Sequence, residues 1–203
     1  MKSEDRRTYR MTSRADAASA TSERILDAVT ELFWERPRDQ FVLREVAERA
    51  GVTVQTVIRK FGGRDGLLDA AAQRAMSRTR DDRTVTPGDV EQAVEVLLDH
   101  YEQAGPGVLR LLAEEPGSPT LATYAAQGRR LHRDWCRTVF APTLASLSGV
   151  TRERRLAQLV AVCDVYTWKL LHLDAGLSRK QTRLALLELL GPLLVTPTTQ
   201  ENR

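Results

Sequence analysis

The segment TVQTVIRKF, residues 53–61, contains side chains whose types and spacing suit contact with another molecule. At helical spacing, Val57 and Phe61 turn toward a common interior. The polar residues left on the outer face are Gln55, Thr56, Arg59 and Lys60. Gln and Arg can hydrogen-bond to base edges, while Lys and Thr can hold phosphates, so this face favours nucleic-acid binding. The alternative is an ordinary corner between two helices with a solvated polar face.

A glycine precedes this face and interrupts what otherwise reads as one helix from Leu43 to Phe61. Glycine in a helix interior costs roughly 1 kcal/mol relative to alanine, so Gly51 is better explained as a corner. It can adopt the left-handed conformation that ends one helix, and Thr53 can cap the next. Ala47 is small enough to let the two helix axes approach. The spacing therefore predicts a helix-turn-helix, whose second helix enters the DNA major groove.

The segments before this corner predict an arm and a first helix. Residues 1–19 are polar and have no helical or strand period, so we expect a disordered basic arm. From Thr21 onward, apolar residues such as Ile25 and Val29 recur at helical spacing until Pro37 ends the run.

Helical periodicity continues to the C-terminal end of the chain. We expect further helices at 41–50, 53–61, 63–80, 88–103, 106–115, 119–147, 152–174 and 179–194. No segment shows a convincing strand alternation, so the sequence predicts an all-α fold of about nine helices. The predicted division is a three-helix head at 20–66, a larger helical bundle at 67–195 and a tail at 196–203.

Composition is that of an ordinary globular protein. The 203 residues are 42% hydrophobic and 28% charged, which is enough for a buried core. No apolar run approaches the ~20 residues of a bilayer span, and the basic N-terminus lacks the apolar core of a secretion signal. We therefore expect a cytoplasmic protein without a membrane partner. Residues 1–86 hold 17 Lys or Arg against 14 Asp or Glu, whereas residues 87–203 hold 13 of each, which favours polyanion contact in the N-terminal part.

Residues 22–72 resemble the N-terminal domain of the tetracycline-repressor (TetR) family of bacterial transcriptional regulators. The resemblance rests on RILDAVTELF in the first helix, LREVAERAGVTVQTV across the corner, then Phe61 and GRDGLLDAA. It implies a helix-turn-helix head that binds double-stranded DNA and a C-terminal bundle that binds a small-molecule effector and dimerises. Two heads on a two-fold axis would read a pseudo-palindromic operator, most simply as a repressor.

The resemblance also implies which residues contact DNA. The matching positions are Arg44, Val54, Gln55, Thr56, Ile58, Lys60 and Arg64. We add Thr53 and Arg59 from the same recognition helix. Arg44 is expected to read a base, most simply guanine through a bidentate contact, and Arg64 to clamp phosphate.

Three positions depart from the pattern of the family. Val42 stands where the family usually has Thr, so the cap of the second helix has to come from elsewhere, such as Asp39. Ile58 and Lys60 replace the aromatic residue and the histidine that are usual on the recognition helix. The operator sequences of relatives therefore do not transfer, and Ile58 is a candidate for contact with a thymine methyl.

The last two predicted helices are apolar on more than one face. One stripe can be buried within the chain, and the other, which carries small residues and a tryptophan, suits the surface of a homodimer. In the family, such helices pack against their copies as a four-helix bundle. The candidate interface residues are Ala157, Ala161, Asp164, Trp168, Leu171, Leu187 and Leu190.

Aromatic and aliphatic residues of the bundle could also surround a mostly apolar pocket with a few polar groups. The candidate effector-binding residues are Leu97, Tyr101, Leu112, Leu131, Trp135, Val139, Cys163 and Tyr166. For each of them the alternative is plain hydrophobic core.

Enzyme motifs are missing from the sequence. His132 and Cys136 lie one turn apart, but no third ligand has the spacing of a metal motif, so we predict no metal site and no cofactor. There is no GxSxG, phosphate-binding glycine loop or HExxH, and we name no catalytic residue. Two alternatives stay open: a helical partner-binding scaffold with non-specific DNA binding, and a small all-α enzyme.

Overall fold

The computed structural model describes residues 2–35 and 42–195, where all regular secondary structure is helical. The α-helices are α1 (Lys2–Glu35), α2 (Leu43–Arg49), α3 (Val54–Phe61), α4 (Arg64–Asp82), α5 (Val90–Glu114), α6 (Pro119–Val139), α7 (Ala141–Ala145), α8 (Gly149–Val162), α9 (Val165–Trp168) and α10 (Arg179–Leu194). A 3₁₀-helix follows α5 at Glu115–Gly117, and a π-helix follows α9 at Lys169–Asp174. The all-α prediction is confirmed. The predicted tail at 196–203 lies outside the described residues.

Helix α1 begins at Lys2 and not at the predicted Thr21. Residues 2–19, where the sequence suggested an arm, belong to this helix. The sequence contains no glycine or proline before Pro37, so nothing in residues 2–35 breaks a helix. Low apolar content had suggested disorder, but the alanines at 15, 17, 18 and 20 have high helix propensity.

The chain divides into two compact units, Met1–Ala75 and Met76–Arg203. The division falls within α4, beyond the predicted boundary at residue 66. The reason lies in the start of α4, because Leu67 and Leu68 are buried in the core of the first unit. That core consists of Ile25, Leu26, Ala28, Val29, Leu32, Val46, Ala47, Ala50, Val57, Leu67 and Leu68.

Helix α5 of the second unit is continuous through the sequence AGPG, where the sequence predicted a break. Pro106 lies within the helix, and Gly105 and Gly107 are buried. A Cβ atom on Gly105 would lie 2.6 Å from Cζ3 of Trp168. The glycine is therefore explained by the close approach of an indole ring to the helix backbone, and not by the end of a helix.

Two long predicted helices are divided in the structure. The segment 119–147 turns at Phe140, between α6 and α7. The segment 152–174 turns at Cys163 and Asp164, where the Asp164 carboxylate accepts a hydrogen bond of 2.9 Å from the amide of Tyr166 and caps α9. Such a cap stabilises a new helix start where periodicity alone indicated one continuous helix.

The core of the second unit is built by α5 to α10. Its buried residues include Leu97, Leu98, Tyr101, Cys136, Val139, Phe140, Leu144, Leu156, Leu159, Cys163, Trp168, Leu186 and Leu190. The Tyr101 hydroxyl donates a hydrogen bond of 2.9 Å to the Cys163 carbonyl, which satisfies a polar group at the centre of this core. On the surface, α10 is joined to α5 by ion pairs from Arg179 and Arg183 to acidic residues of α5.

Candidate nucleic-acid interface

The corner between α2 and α3 has the geometry that the sequence predicted. Gly51 adopts a positive φ of 65°, and the amide of Val52 donates a hydrogen bond of 2.9 Å to the carbonyl of Ala47. Thr53 is the N-cap of α3, where its Oγ1 accepts a hydrogen bond of 3.2 Å from the amide of Thr56. The predicted bend at Gly51 is confirmed.

Apolar contacts on the inner side hold this corner in place. Val46, Ala47 and Val57 are buried in the core of the first unit, while Val52 and Phe61 are partly buried against it. These residues occupy the inner side of α2, α3 and the turn between them, so Gln55, Ile58 and Arg59 of α3 point away from the core.

The exposed part of α3 contains Gln55, Ile58 and Arg59. Ile58 is 40% exposed, so its side chain is accessible to another molecule. Thr56 is half-buried, and its hydroxyl lies 3.0 Å from that of Thr53. Val54 packs against the core of the first unit, so its side chain serves the fold.

Arg44 lies near the start of α2 with 75% of its side chain exposed. Its Nε is 3.9 Å from Oε1 of Glu48, a surface pair too loose to hold the guanidinium in one place. The expected cap from Asp39 lies outside the described residues. In the structure, Glu45 accepts a hydrogen bond of 3.2 Å from the amide of Val42 and supplies a cap.

Lys60 is the predicted contact whose position differs most from the expectation. Its ammonium donates hydrogen bonds to the carbonyl of Ala18 (2.7 Å) and to Oγ of Ser22 (2.9 Å). Both partners lie on α1, so Lys60 joins the recognition helix to the first helix. Arg64 is the first residue of α4 and is half-buried.

Three arginines that the sequence did not single out join α1 to the other helices of the first unit, two of them at the corner. Arg49 forms a bidentate pair with Glu35 at 2.5 and 2.9 Å, and this carboxylate raises the pKa of the guanidinium. Arg24 donates to the carbonyl of Ala50 at 3.3 Å, and Arg74 pairs with Asp27. No pattern in the sequence marks them, because charged residues on a helix are usually solvated.

Comparison with known proteins places this geometry in a family. Residues 25–71 match the model of "Bacterial regulatory proteins, tetR family". An HTH-type transcriptional repressor of Mycobacterium tuberculosis is 31% identical, over 68% of this chain and 81% of that protein. An HTH-type transcriptional regulator of Mycobacterium bovis gives the same values.

The chain belongs to the TetR family. It is a DNA-binding transcriptional regulator with a helix-turn-helix at α2 and α3. Solved structures agree in fold: a transcriptional regulator from Rhodococcus sp. Rha1 has a TM-score of 0.65 at 21% identity, covering 87% of this chain and 99% of that one. A TetR-family regulator from Streptomyces coelicolor has a TM-score of 0.59 at 18% identity, with 85% and 81% covered. None of the helices within 2–35 and 42–195 is long and apolar enough to cross a bilayer.

Most of the effector-binding candidates of this TetR-family chain meet in the core of the second unit. Leu97, Tyr101, Val139 and Cys163 are fully buried there, and Leu112 and Trp135 are partly buried against them. Leu131 is half-buried, whereas Tyr166 is half-exposed on α9 and lies outside this core.

A buried arginine, which sequence reasoning missed, lies among these residues. Arg83 is only 4% exposed, and its guanidinium carbon is 4.1 Å from the centre of the Trp135 ring. One of its Nη atoms donates to Nδ1 of His132 at 3.2 Å, and its carbonyl accepts from Nε1 of Trp135 at 2.7 Å. In the sequence, Arg83 follows two aspartates at the end of a helix and resembles a solvated charge.

The same surroundings affect two neighbouring titratable groups. Burial, together with the nearby positive charge of Arg83, lowers the pKa of His100 to about 4. Burial also raises the pKa of the Tyr101 phenol. At neutral pH both groups are uncharged, so Arg83 carries the positive charge of this cluster.

The dimer candidates divide into exposed and buried residues. Ala157 and Ala161 are exposed on α8, as expected of an interface. Trp168 and Leu190 are only 2% and 0% exposed, which corrects their assignment to a dimer surface. Both belong to the core of this chain, where Trp168 packs on Gly105.

The other interface candidates, Leu171 and Leu187, are partly buried against the core, and Asp164 caps α9. Large apolar residues that the sequence did not assign to a dimer interface are exposed instead. They are Tyr166, Leu170, Leu173, Leu184 and Leu189. For the residues that follow Asp164 directly, the shift arises because α9 begins anew there, which changes the register that a continuous helix would have had.

The histidine and cysteine that the sequence paired on α6 lie side by side. Nε2 of His132 lies 3.8 Å from Sγ of Cys136. Among the described residues, no three His, Cys, Asp or Glu side chains are grouped as metal ligands would be. Cys136 and Cys163 are free and buried.

Proposed function

We propose that this regulator is a homodimeric repressor that binds a pseudo-palindromic operator and is released by a small-molecule effector. Within it, the first unit binds DNA, and the second unit binds the effector and forms the dimer. One observation carries the proposal. The inner face of α3 packs into the core, so its polar outer face is directed at solvent, where it can contact DNA.

The exposed residues suggest a division of roles on DNA. Arg44, Gln55 and Ile58 have the chemistry for base edges, with Arg44 suited to guanine and Ile58 to a thymine methyl. Arg59 and Arg64 have the chemistry for phosphates, as do the hydroxyls of the first turn of α3. Lys60 holds α3 against α1, so part of its contribution to DNA affinity comes from positioning α3.

Dimer formation is supported by the apolar residues exposed on the last helices. Large aliphatic side chains on the surface of a single chain favour burial against a second copy. A two-fold dimer would present two recognition helices about one turn of DNA, ~34–36 Å, or a multiple of it, apart. The name of the mycobacterial relative supports repression as the regulatory outcome. A cytoplasmic location accords with binding chromosomal DNA.

Selection of bound duplexes from a random pool tests the DNA part of this proposal. The expected result is one sequence with two inverted half-sites, bound by two chains per duplex in analytical ultracentrifugation. Enrichment of no preferred sequence would instead indicate the scaffold with non-specific DNA binding. A screen for small molecules that dissociate the selected duplex then tests the effector part.

A further inference from the structure

Arg83 is a buried cation for which the described residues supply no carboxylate. The residue is 4% exposed, and its Nε has no hydrogen-bond partner. Across the described part of the chain, none of the ion pairs within 4.0 Å includes Arg83. Removing a guanidinium from water costs several kcal/mol unless a counter-charge and hydrogen bonds offset it.

The interactions that Arg83 does make offset only part of that cost. Its guanidinium stacks at 4.1 Å from the ring centre of Trp135 and lies 6.0 Å from that of Tyr101. A cation–π contact stabilises a buried guanidinium by less than its burial costs. The guanidinium can therefore still donate hydrogen bonds to a further, negatively charged acceptor.

The groups around Arg83 leave a single positive charge. Nδ1 of His132 accepts from Arg83, which leaves Nε2 to face the Val160 carbonyl at 3.2 Å. His100 is neutral near pH 7, since its pKa lies at about 4. Asp164 is engaged at the start of α9, where it caps the helix.

We propose that Arg83 binds the carboxylate of the effector, and that the effector is an organic monocarboxylate whose apolar body lies against Trp135 and the adjoining core. One carboxylate matches one guanidinium in charge and in bidentate geometry. A phosphate monoester dianion would leave one negative charge buried without a partner. The apolar and aromatic surroundings favour a hydrocarbon or aromatic body over a sugar.

The position of Arg83 also suits a bound carboxylate to act on the rest of the protein. Trp135 is half-buried, so a ligand can reach the stacked pair from the surface at this ring. Arg83 directly follows α4, the helix that carries the chain from the first unit into the second. Binding of a carboxylate at Arg83 does not depend on the proposed function. That the bound acid acts as an effector does rest on the proposed function.

Matched acids and amides test the charge requirement directly. The probes are benzoate with benzamide, phenylacetate with phenylacetamide, and octanoate with octanamide, added to the full-length protein. Binding is followed by the thermal unfolding midpoint and by tryptophan fluorescence, since Trp135 stacks on Arg83. At least one acid is expected to bind and its amide to bind at least about 30-fold more weakly, as for truncation of a buried charge pair.

Three variants assign this preference to Arg83. Arg83→Gln is expected to lose the preference for the acid, and Arg83→Lys to keep part of it because the charge remains. Arg137→Gln, an exposed arginine on α6 that pairs with Asp134, is the control and should bind as wild type. If Arg83→Gln fails to fold, the role of Arg83 is tested by Arg83→Lys, together with the comparison of acids and amides on the wild-type protein.

Clear outcomes overturn the proposal. No preference for any acid over its amide in the wild type, or a preference that persists in Arg83→Gln, removes the role of Arg83. Equal, Arg83-dependent stabilisation by inorganic phosphate removes the organic carboxylate. Operator binding measured on the same samples separates the two proposals: absence of a preferred operator rejects the proposed operator-specific repressor, whereas an intact operator complex that no acid dissociates rejects only the effector role.

Discussion

Nζ of Lys60 on α3 donates a hydrogen bond to the carbonyl oxygen of Ala18 on α1, at 2.7 Å. A second bond, to Oγ of Ser22, completes a junction between the recognition helix and the first helix. A lysine at this position on the recognition helix would by itself suggest phosphate contact. The structure indicates that the side chain also sets the orientation in which α3 meets DNA.

Lys60→Ala should therefore lower both stability and DNA affinity. Loss of two partly exposed, charge-assisted hydrogen bonds is expected to reduce the free energy of unfolding by about 1 kcal/mol. Chemical denaturation measures this change, and titration of the selected operator at several salt concentrations measures the affinity.

Arg59→Ala is the matched control for Lys60→Ala. Arg59 precedes Lys60 on α3 and is exposed. Its loss should leave the unfolding free energy unchanged and reduce the slope of log affinity against log salt by about one unit. If Lys60→Ala proves as stable as wild type and differs from it only in salt slope, the junction with α1 has no energetic role.

Arg44→Ala should change sequence preference more than general affinity. The guanidinium is exposed and only loosely paired with Glu48, so it is available for a bidentate contact with guanine. We expect a cost of about 1–3 kcal/mol on the selected operator and a relaxed preference at one base pair of each half-site. Repeating the duplex selection with the variant measures it, and an equal loss on unrelated duplexes would assign Arg44 to phosphate instead.

The sequence predicted the corner at Gly51 well because local rules govern it. A glycine at φ 65°, a Thr cap and buried residues at helical spacing are all properties of neighbouring positions. Periodicity also predicted the outward direction of Gln55 and Arg59 correctly. The resemblance to the TetR family then extended these local features to a function.

The second unit was less predictable because distant contacts decide its details. Gly105 and Pro106 look like a helix end, yet the Trp168 ring 63 positions away occupies the space that a side chain would fill. Arg83 looks solvated until α6 brings His132 and Trp135 against it. Neither contact has a signature in local sequence, since each depends on tertiary packing.

Two glycine substitutions should destabilise the protein for different reasons. A Cβ on Gly51 meets nothing within 4 Å, so Gly51→Ala should cost only the left-handed backbone strain, about 1–2 kcal/mol. Gly105→Ala keeps an ordinary helical backbone but pushes against the Trp168 ring, with an expected cost of about 1–3 kcal/mol.

Near-ultraviolet circular dichroism distinguishes these two causes. Gly105→Ala should alter the tryptophan bands, and Gly51→Ala should leave them unchanged while weakening operator binding. Unchanged tryptophan bands in Gly105→Ala would show that the ring does not require a glycine beneath it.

The junction between α5 and α10 should make stability depend on pH in the acid range. Arg179 pairs with Glu95 at 2.9 Å, and this hydrogen bond, supported by Arg183, holds the pKa of the Glu95 carboxyl below its ordinary value. A carboxyl with a lowered pKa in the folded state stabilises the protein above its unfolded pKa of about 4.3. That contribution is lost as the pH falls through the folded pKa, because the protonated acid no longer pairs.

Glu95→Gln tests this dependence. Both partners are more than one-third exposed, so solvent screening limits the expected loss at neutral pH to about 1 kcal/mol or less. Urea denaturation at neutral pH and at a pH below the folded pKa should show the difference from wild type only at the higher pH. Glu188→Gln, an exposed acid on α10, serves as the control. A difference of the same size at both pH values would mean that Glu95 acts through packing and not through its charge.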